Sequence, residues 1–430
     1  MSNIGLITEY NPFHNGHKYH INNAKKISNS QNAIVVMSGD FVERGAPSFI
    51  DKYSRATMAI NNGADLIIEL PYVYANSSAE FFASGAVKTL DALGICDGIC
   101  FGCEDDDTDM LTFIANILTN EPTIFKEYVI SYINKGFSFP TSRAKALEEY
   151  ITTYCKDSLP QRDININDFL NQPNNILAIE YIKCILKNNI NLKLYPLKRV
   201  GENFHSNNIS SLASASAIRN YFNNPDISNN SLESLRESVP DDVFKFLKTH
   251  QNITFPITSE DFKNLIFYKL LSLLNSNNDI ENYVDISCDL GKRIYKNLNF
   301  SISSLDDYIQ SIKSKQFTYT RIERSLFHIL MDFTKEDMQS FLDNDSIFYI
   351  NVLAFNDNGR ALLKEAKKTC SVPIINKKAD AKKQLSPLGL KMFNYDIKAM
   401  RLYNQIAYSK YPLASNYLKD DFKTGVLRFV

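Results

Sequence analysis

The chain has 430 residues, of which 44% are hydrophobic and 22% are charged, and its formal net charge at pH 7 is −1. This length is sufficient for two or three domains with their own cores, and the composition is typical of a globular protein rather than a disordered one. The N-terminus lacks a basic segment followed by an apolar run, and no apolar run reaches the roughly 18 residues of a membrane span, so we expect neither a signal peptide nor a membrane protein.

Short apolar runs alternate with helical periodicity through the first half of the chain. The sequence predicts strands at 3–8, 33–37, 65–70, 98–102 and 192–197, and helices at 17–27, 51–63, 78–93, 173–186 and 214–222. Apolar strands that alternate with helices are typical of a parallel sheet covered on both faces. Ligands of such sheets bind beyond the carboxyl ends of the strands, where we expect the loops that carry His14, Asp40 and Gly102.

The turn-rich segment NNPDISNNS, at 223–231, predicts a domain boundary. We predict a Rossmann-like α/β domain with a parallel sheet over residues 1–225, followed by a mainly α-helical domain over 226–430. Lys and Arg number 13 against 19 Asp and Glu in 226–350, whereas 351–430 holds 15 against 6. A basic excess of this kind is typical both of nucleic-acid contacts and of a solvated lysine-rich helix face, and composition alone favours neither.

Three of the six histidines, His14, His17 and His20, lie within the segment ITEYNPFHNGHKYH. A metal site is one interpretation of this cluster. It is weak, because the three residues span a loop and the start of a helix, with no nearby cysteine and no HExxH motif. A phosphate site at a helix start explains more of the segment.

The phosphate interpretation depends on where HNGH lies. A predicted strand ends at Thr8, and HNGH leads from a loop into a helix, whose free N–H groups and partial positive charge favour phosphate. Gly16 lets the backbone approach a ligand because it has no Cβ. His14 and His17 can donate hydrogen bonds to α-phosphate oxygens as charge builds during in-line displacement. His20 lies one turn further on, and we interpret it as structural.

The motif HNGH directly after the first strand resembles the signature of the HIGH-type nucleotidyltransferase superfamily. A closer resemblance is carried by GLITEYNPFHNGHKYH, MSGDFVERGAPSFIDKYSRATMAINNGADLIIELP, GFSFPTSRAKAL, PNNILAIEY, PLKRVG and SASAIR. Together these segments resemble the bacterial tRNA(Met) cytidine acetate ligase family over nearly the whole chain. The resemblance implies that ATP activates acetate as acetyl-adenylate with release of pyrophosphate. The acetyl group would then be transferred to N4 of the wobble cytidine of elongator tRNA(Met).

By position, the resemblance implies catalytic roles for His14 and His17 and a set of ATP contacts. The implied ATP-binding residues are Ile7, Thr8, Glu9, Tyr10, Asn11, Pro12, Phe13, His14, Asn15, Gly16, His17, Lys18, Tyr19, His20, Gly102, Asn174, Arg199 and Val200. Asn175 adjoins Asn174, and either of the two fits the implied contact.

Two further segments bear on the implied phosphate site. SASAIR is similar to the superfamily's second signature, which implies that Ser214, Ser216 and Arg219 hold phosphates. Glu43 departs from the glutamine that we expect in the family, which leaves its local contact open.

A charged run follows the second predicted strand and comprises Asp40, Arg44, Asp51, Lys52 and Arg55. One interpretation is helix capping and surface ion pairs. The other, which depends mostly on the family resemblance, is that the run lines a cleft for ATP and acetate.

The resemblance also implies the reactants. ATP is the co-substrate, Mg²⁺ is expected to neutralise the departing pyrophosphate, and acetate and elongator tRNA(Met) are the other substrates. No acetyl-CoA is needed, no tightly bound transition metal is expected, and we expect a cytoplasmic protein without a membrane partner. The run KKADAKK, within the basic segment, makes Lys377, Lys378, Lys382 and Lys383 candidates for contacts with the tRNA backbone.

Two other functions are compatible with parts of the pattern. A small-molecule adenylyltransferase of the pantetheine-phosphate or nicotinate-mononucleotide type would share HxGH, but such proteins are usually much shorter and have no evident use for a large, partly basic helical domain. A non-catalytic RNA-binding protein with a degenerate site is the other alternative. The intact HxGH and SxSxIR patterns argue against it.

The chain has seven cysteines, which we expect to be reduced because no secretion signal is present. Cys96, Cys100 and Cys103 have a CxxxCxxC spacing similar to that of the iron–sulfur ligands in radical SAM enzymes. Cys100 and Cys103 fall in or beside a predicted buried strand, where cysteine acts as a small hydrophobic residue. We favour this second interpretation.

Overall fold

A computed structural model describes residues 2–160, 165–199, 214–223, 232–275, 279–299, 301–344 and 346–430. The strands are β1 (Asn3–Thr8), β2 (Asn32–Ser38), β3 (Leu66–Leu70), β4 (Gly98–Cys103), β5 (Lys193–Lys198), β6 (Ile350–Phe355), β7 (Ile374–Ile375) and β8 (Leu427–Arg428). In these described ranges, no helix has the length and apolar character that crossing a bilayer requires.

Helices cover both faces of the sheet and form most of the second half of the chain. They are α1 (Asn15–Ile27), α2 (Lys52–Asn61), α3 (Tyr72–Ala75), α4 (Ala79–Leu93), α5 (Thr108–Asn120), α6 (Thr123–Asn134), α7 (Phe139–Tyr154), α8 (Ile166–Asn171), α9 (Pro173–Lys187), α10 (Ala215–Asn223), α11 (Asp241–His250), α12 (Lys263–Asn275), α13 (Cys288–Lys296), α14 (Leu305–Ile312), α15 (Tyr319–Met331), α16 (Lys335–Asp343), α17 (Asp357–Thr369), α18 (Ala381–Gln384), α19 (Pro387–Lys410) and α20 (Asp421–Thr424).

The strands form one sheet in the order β5-β4-β1-β2-β3-β6-β7, with β8 paired to β6. β1 to β5 pair in parallel. Every residue of β2 is buried, and its side chains alternate between two hydrophobic clusters: Ile34 and Val36 belong to one, and Val35 and Met37 to the other. This alternation shows that helices cover both faces of the sheet, which confirms the predicted α/β class.

The second half of the chain also contributes to this sheet, which the sequence did not predict. β6 pairs with β3 in the antiparallel direction, and β7 and β8 both pair with β6. The prediction of a helical second half was therefore incomplete. The outer edge of β3 would otherwise expose unpaired N–H and C=O groups, and β6 satisfies them. The boundary near residue 225 stays a prediction, but the sheet does not end there.

A buried polar network fixes the C-terminal segment to the sheet. The Lys52 Nζ donates to Glu69 Oε1 at 2.9 Å and to Asp421 Oδ2 at 3.0 Å, and Lys52 is only 1% exposed. Asn351 donates to Glu69 Oε2 at 2.8 Å, and Lys378 donates to Asn351. Burial alone would lower the pKa of Lys52, but the carboxylates of Asp421 and Glu69 raise it well above its usual value. Lys52 is therefore a charged residue in the interior.

Replacing Lys52 with methionine is expected to destabilise the protein by about 3–5 kcal/mol, because Glu69 and Asp421 would stay buried without their shared cation. Denaturant unfolding followed by circular dichroism measures this change in stability. The control is Lys126→Ala, which breaks an ion pair with Glu121 in which both side chains are largely exposed, and which should cost at most about 1 kcal/mol. Equal destabilisation in the two variants would contradict the role assigned to Lys52.

Candidate nucleotide-binding cleft

A cavity of about 1080 Å³ opens where the parallel strands end. We call it the nucleotide-binding cleft. Its lining includes these residues implied by the resemblance: Ile7, Thr8, Glu9, Tyr10, Asn11, His14, Gly16, His17, Tyr19, His20, Gly102, Asn174, Arg199, Ser214, Ser216 and Arg219. Residues from five separate segments of the sequence therefore meet at one edge of the sheet.

Four of the implied residues do not line the cleft. Pro12 and Phe13 are buried and Lys18 is exposed, and none of the three lines the cleft. Asn15 does not line it either; it donates from its backbone N–H to Ser238 O at 3.0 Å and from Nδ2 to Glu237 O at 2.8 Å. These four residues shape the loop rather than its ligand-facing surface. Val200 lies outside the described residues.

His14 and His17 form a capping box at the start of α1. His14 is the N-cap residue, and its Nδ1 accepts the backbone N–H of Gly16 at 3.0 Å. The Nδ1 of His17 accepts the backbone N–H of His14 at 3.3 Å, and the two ring centroids lie 3.7 Å apart. A ring nitrogen that accepts a hydrogen bond carries no proton, so each neutral imidazole has its proton on Nε2. Both histidines therefore present an N–H donor.

Burial keeps both rings neutral. Burial, assisted by the charges of Arg199 and Arg219, lowers the pKa of His14 to about 3. Burial and then the neighbouring His14 lower the pKa of His17 well below its usual value. At neutral pH the pair supplies hydrogen bonds rather than positive charge, and nearby arginines supply the charge.

Nitrogen-15 NMR at pH 7 should show His14 and His17 as Nε2–H tautomers that do not titrate between about pH 5 and 8. The folded pKa of His14, about 3, lies below the unfolded value near 6.5, so the folded state binds fewer protons. The neutral His14 imidazole therefore makes its full contribution to the free energy of unfolding above about pH 6.5, and this contribution is lost as the pH falls towards 3. Urea-unfolded protein, in which histidines titrate near 6.5, is the reference, and titration of either residue near 6.5 in the folded protein would contradict the assignment.

Gly16 is needed for this arrangement. A Cβ at this position would lie 2.8 Å from His14 Cε1 and 3.0 Å from its Nδ1. Because the imidazole of His14 lies against the first turn of α1, any side chain here would displace it. The sequence suggested close approach of a ligand to Gly16, and the structure adds close approach of a histidine ring.

Hydrogen bonds connect α10, which carries the SASAIR segment, to the loop that precedes α1. Ser214 Oγ accepts the backbone N–H of Ala217 at 3.1 Å and caps the helix. Arg219 donates from Nη1 to Asn11 O at 2.5 Å and from Nη2 to Ser216 Oγ at 3.1 Å. The N-termini of α1 and α10 therefore meet at the cleft, and together they make it electropositive.

Asn174 and Asn175 have different surroundings. Asn175 is 1% exposed, accepts the backbone N–H groups of Glu104 and Asp105, and donates to Phe169 O, so its amide is held inside the protein. Asn174 lines the cleft and accepts from Arg199 Nη1 at 3.4 Å. Of the two, only Asn174 is placed to meet a ligand in the cleft.

Comparison with known proteins agrees with this arrangement. The profile of the HIGH Nucleotidyl Transferase family matches residues 1–417. The tRNA(Met) cytidine acetate ligase of Clostridium acetobutylicum is 39% identical over 97% of this chain and 99% of its own length, and that of Clostridium tetani is 40% identical over the full length of both. The chain belongs to the tRNA(Met) cytidine acetate ligase family of HIGH nucleotidyltransferases. A crystal structure of Thermotoga maritima TmcAL bound with alpha-thio ATP has 30% identity and a TM-score of 0.87, with complete coverage of both chains.

The charged run of this ligase-family member is mostly internal. Asp51 caps α2 by accepting from Tyr53 and Ser54, and Arg55 is fully buried and donates to backbone carbonyls that include Glu9 O and Ile50 O. Helix capping was predicted correctly for Asp51, whereas the expected surface ion pairs were wrong for Arg55 and for Lys52. Of this run, Arg44 lines the cleft.

The cleft has a second wall from the later part of the chain. Asp285, Arg321 and Arg324 line it, and Arg324 Nε donates to Asp285 Oδ2 at 2.5 Å. Glu43 also lines the cleft, and its backbone N–H donates to Glu9 Oε1 at 2.9 Å. Burial and the neighbouring Glu9 raise the pKa of Glu43 to about 7, against the opposing effect of Arg324. No sequence pattern indicated Arg321 or Arg324, because they lie in a segment that is acidic overall.

Lys378 corrects the predicted tRNA-binding run. It is 4% exposed and donates to Asn351 inside the buried network, so it cannot contact a phosphate backbone. Lys377, Lys382 and Lys383 are exposed. Of the four lysines in the KKADAKK run, Lys378 is therefore structural, and the other three stay candidates for contacts with tRNA.

The cysteines do not converge on one point. Cys100 belongs to the hydrophobic cluster on one face of the sheet, whereas Cys103 belongs to the cluster on the other and Cys96 packs against that second cluster. In the described ranges, no group of three or more His, Cys, Asp or Glu side chains could hold a metal ion. Cys100 Sγ instead lies 3.5 Å from His20 Nε2, which supports a structural role for both residues.

Proposed function

We propose that the protein acetylates N4 of the wobble cytidine of elongator tRNA(Met), using acetate and ATP. The observation that carries the proposal is the pair of neutral Nε2–H donors, His14 and His17, at the start of α1. They lie in a cleft that Arg199 and Arg219 also line, in a chain of this ligase family.

The first step activates acetate. A carboxylate oxygen of acetate attacks the α-phosphorus of ATP, the bond from that phosphorus to the bridging oxygen breaks, and pyrophosphate leaves with the electron pair. Negative charge builds on the α-phosphate oxygens in the transition state, where the N–H donors of His14 and His17 and the two helix N-termini stabilise it. Acetate by itself is a poor acyl donor, and the mixed anhydride provides a good leaving group. No acetyl-CoA is needed for this chemistry.

The second step transfers the acetyl group. The cytidine N4 attacks the acetyl carbonyl carbon, the bond from that carbon to the AMP oxygen breaks, AMP leaves and N4 loses one proton. Substrate pockets in proteins usually measure about 300–1,000 Å³. A cleft of about 1080 Å³ has room for a reactant beside ATP, and an unpaired anticodon base can be turned out to enter it. Arg321 and Arg324 lie on the wall that such an RNA loop would approach.

Magnesium fits this site as part of the substrate. Mg²⁺ is usually held by substrate phosphates and one or two carboxylates. Glu9 and Glu43 both line the cleft. Mg²⁺ bound to the triphosphate would neutralise the departing pyrophosphate. The proposed substrate also places the reaction in the cytoplasm, where tRNA is modified.

Nucleoside mass spectrometry of tRNA(Met) after incubation with the protein, ATP, Mg²⁺ and labelled acetate tests the proposal. The expected result is labelled N4-acetylcytidine at the wobble position, with AMP and pyrophosphate in equal amounts. A substrate with uridine at that position is the control. Formation of an adenylylated product from phosphopantetheine or nicotinate mononucleotide, without acetylation of tRNA, would favour a small-molecule adenylyltransferase instead.

Replacing Lys377, Lys382 and Lys383 together with alanine should weaken tRNA binding and make it less dependent on salt. The slope of log affinity against log salt should fall by about 0.7–0.9 for each phosphate that these lysines neutralise in the wild-type protein. Exchange of pyrophosphate into ATP with acetate alone should be unchanged. The matched control is alanine at Lys364, Lys367 and Lys368, three exposed lysines on α17. Equal weakening in both triple variants would show that only overall charge matters.

A further inference from the structure

A second cavity lies outside the nucleotide-binding cleft and shares no lining residue with it among the described residues. Its volume is about 270 Å³, and it lies between α2, α11 and the chain near Tyr417. Aromatic rings in contact with one another separate the two cavities. Phe49 lines the cleft, Phe246 lines the second cavity, and Phe255 contacts both rings at centroid distances of 5.8 and 5.9 Å. We call this cavity the side pocket.

One wall of the side pocket is aromatic. The rings of Phe246 and His250 are parallel, with centroids 4.2 Å apart and an interplanar angle of 9°. Tyr417 meets His250 edge-on at 5.3 Å and is 50% exposed. Aromatic side chains at the mouth of a pocket favour a flat ligand that can stack, and every nucleobase has such a face.

Two polar atoms of the pocket lining, one in Thr254 and one in Asp51, have no hydrogen-bond partner among the described residues. Thr254 is 2% exposed, and within the described part of the chain its Oγ1 has no hydrogen-bond partner. Asp51 uses Oδ1 to cap α2, and its Oδ2 accepts no hydrogen bond from the described residues. Buried polar groups are almost always paired, so the Thr254 hydroxyl leaves one hydrogen bond that a water or a ligand in the pocket would complete.

The rim of the pocket carries a cation. Lys419 lines the cavity, is half-buried, and forms no ion pair within the described ranges. The pocket therefore combines a stacking surface, an unused carboxylate oxygen, an unused hydroxyl and a lysine without an ion pair among the described residues.

We propose that the side pocket binds one nucleobase that carries an exocyclic amino group, with its phosphate at Lys419. A carboxylate accepts a hydrogen bond from the amino group of cytosine or adenine, as Asp51 Oδ2 would do here. The volume lies just below the usual range for ligand pockets, about 300–1,000 Å³, so the pocket has room for one base and not for a longer segment. The nucleotide is either an unpaired residue of an RNA or a free mononucleotide, and the RNA source rests on the proposed function.

Binding of cytidine 5′-monophosphate tests the pocket directly, with the nucleotide-binding cleft filled by a non-hydrolysable ATP analogue. Tyr417→Ala and Thr254→Val should each weaken this binding about tenfold, the scale of losing one stacked ring or one buried hydrogen bond. Thr254→Val keeps the shape of the side chain and removes an unpartnered hydroxyl, so thermal stability should not fall. Tyr268→Ala, at a tyrosine on α12 that is 71% exposed, is the matched control and should bind normally.

The affinity of the same variants for tRNA distinguishes the two sources. Weaker binding of both tRNA and the mononucleotide supports an RNA residue in the pocket, whereas weaker binding of the mononucleotide alone supports a free nucleotide. The proposal would be overturned if the wild-type protein does not bind the mononucleotide and both variants bind tRNA with unchanged affinity. If wild-type protein fails to acetylate tRNA but still binds the mononucleotide through Tyr417, the proposed function fails and the side pocket stands.

Discussion

Replacing His14 with asparagine is expected to lower turnover by about 100-fold or more while the fold is kept. Asparagine is among the best N-cap residues, and its Oδ1 can accept the backbone N–H of Gly16 in place of the His14 Nδ1. Its Nδ2 amide also donates, but it lies closer to the backbone than Nε2 of histidine and does not replace that donor. Removal of one preorganised donor to a developing oxyanion costs about 100- to 1,000-fold in turnover. Pyrophosphate exchange dependent on acetate measures the effect without tRNA.

Two other variants separate catalysis from capping. His14→Ala removes both the cap and the donor, so its turnover should fall to the same extent and its stability should fall by about 0.5–2 kcal/mol. His17→Ala should show a similar decrease in turnover, since its ring supplies the other donor. His20→Ala should keep most activity, because the His20 ring contacts Cys100. Near wild-type exchange in His14→Asn would show that Nε2–H does not act on the α-phosphate.

The parallel half of the sheet could be predicted because its strands are apolar on both faces. β1 to β5 each correspond to a predicted run, with ends that differ by about one residue. A fully buried parallel strand leaves a continuous apolar stretch that little else in a globular chain imitates. β6 escaped prediction because one isolated apolar run in a helical region does not reveal that it pairs with a strand nearly 300 residues earlier.

The candidate site was predictable as a location but not as a mechanism. HNGH after a strand indicated a phosphate site, yet spacing cannot show that each Nδ1 accepts a backbone N–H. That detail fixes the tautomer and identifies the atom that acts. The same limit applies to Lys378, since the sequence places it among surface lysines and only the fold buries it beside Asn351. Side-chain direction depends on tertiary contacts that a local pattern does not contain.

The two halves of the chain are less independent than the composition suggested. β6 completes the sheet, Asp421 pairs with Lys52, and Arg324 lines the same cleft as Glu43. The proposed ATP chemistry and the proposed recognition of tRNA would therefore depend on residues from both halves of the chain.

Replacing Arg199 with alanine is expected to lower kcat/KM for ATP by about 10- to 100-fold, the scale of losing one hydrogen bond from a charged group. Arg199 lines the cleft and is exposed, so the fold should tolerate the change. Arg199 also lowers the pKa of His14, and its removal should therefore raise that pKa, although burial will keep it below its usual value. NMR of the His14 ring measures the second effect independently of activity.

Lys193→Ala is the matched control for Arg199→Ala, because it removes one exposed positive charge at the opposite end of β5. It should change neither kcat/KM for ATP nor the titration of His14. If Arg199→Ala leaves kcat/KM intact while the pKa of His14 rises, Arg199 acts on the histidine pair and makes no phosphate contact. If both quantities are unchanged, the electropositive end of the cleft is formed by Arg219 and the helix N-termini, and the ATP contact assigned to Arg199 is wrong.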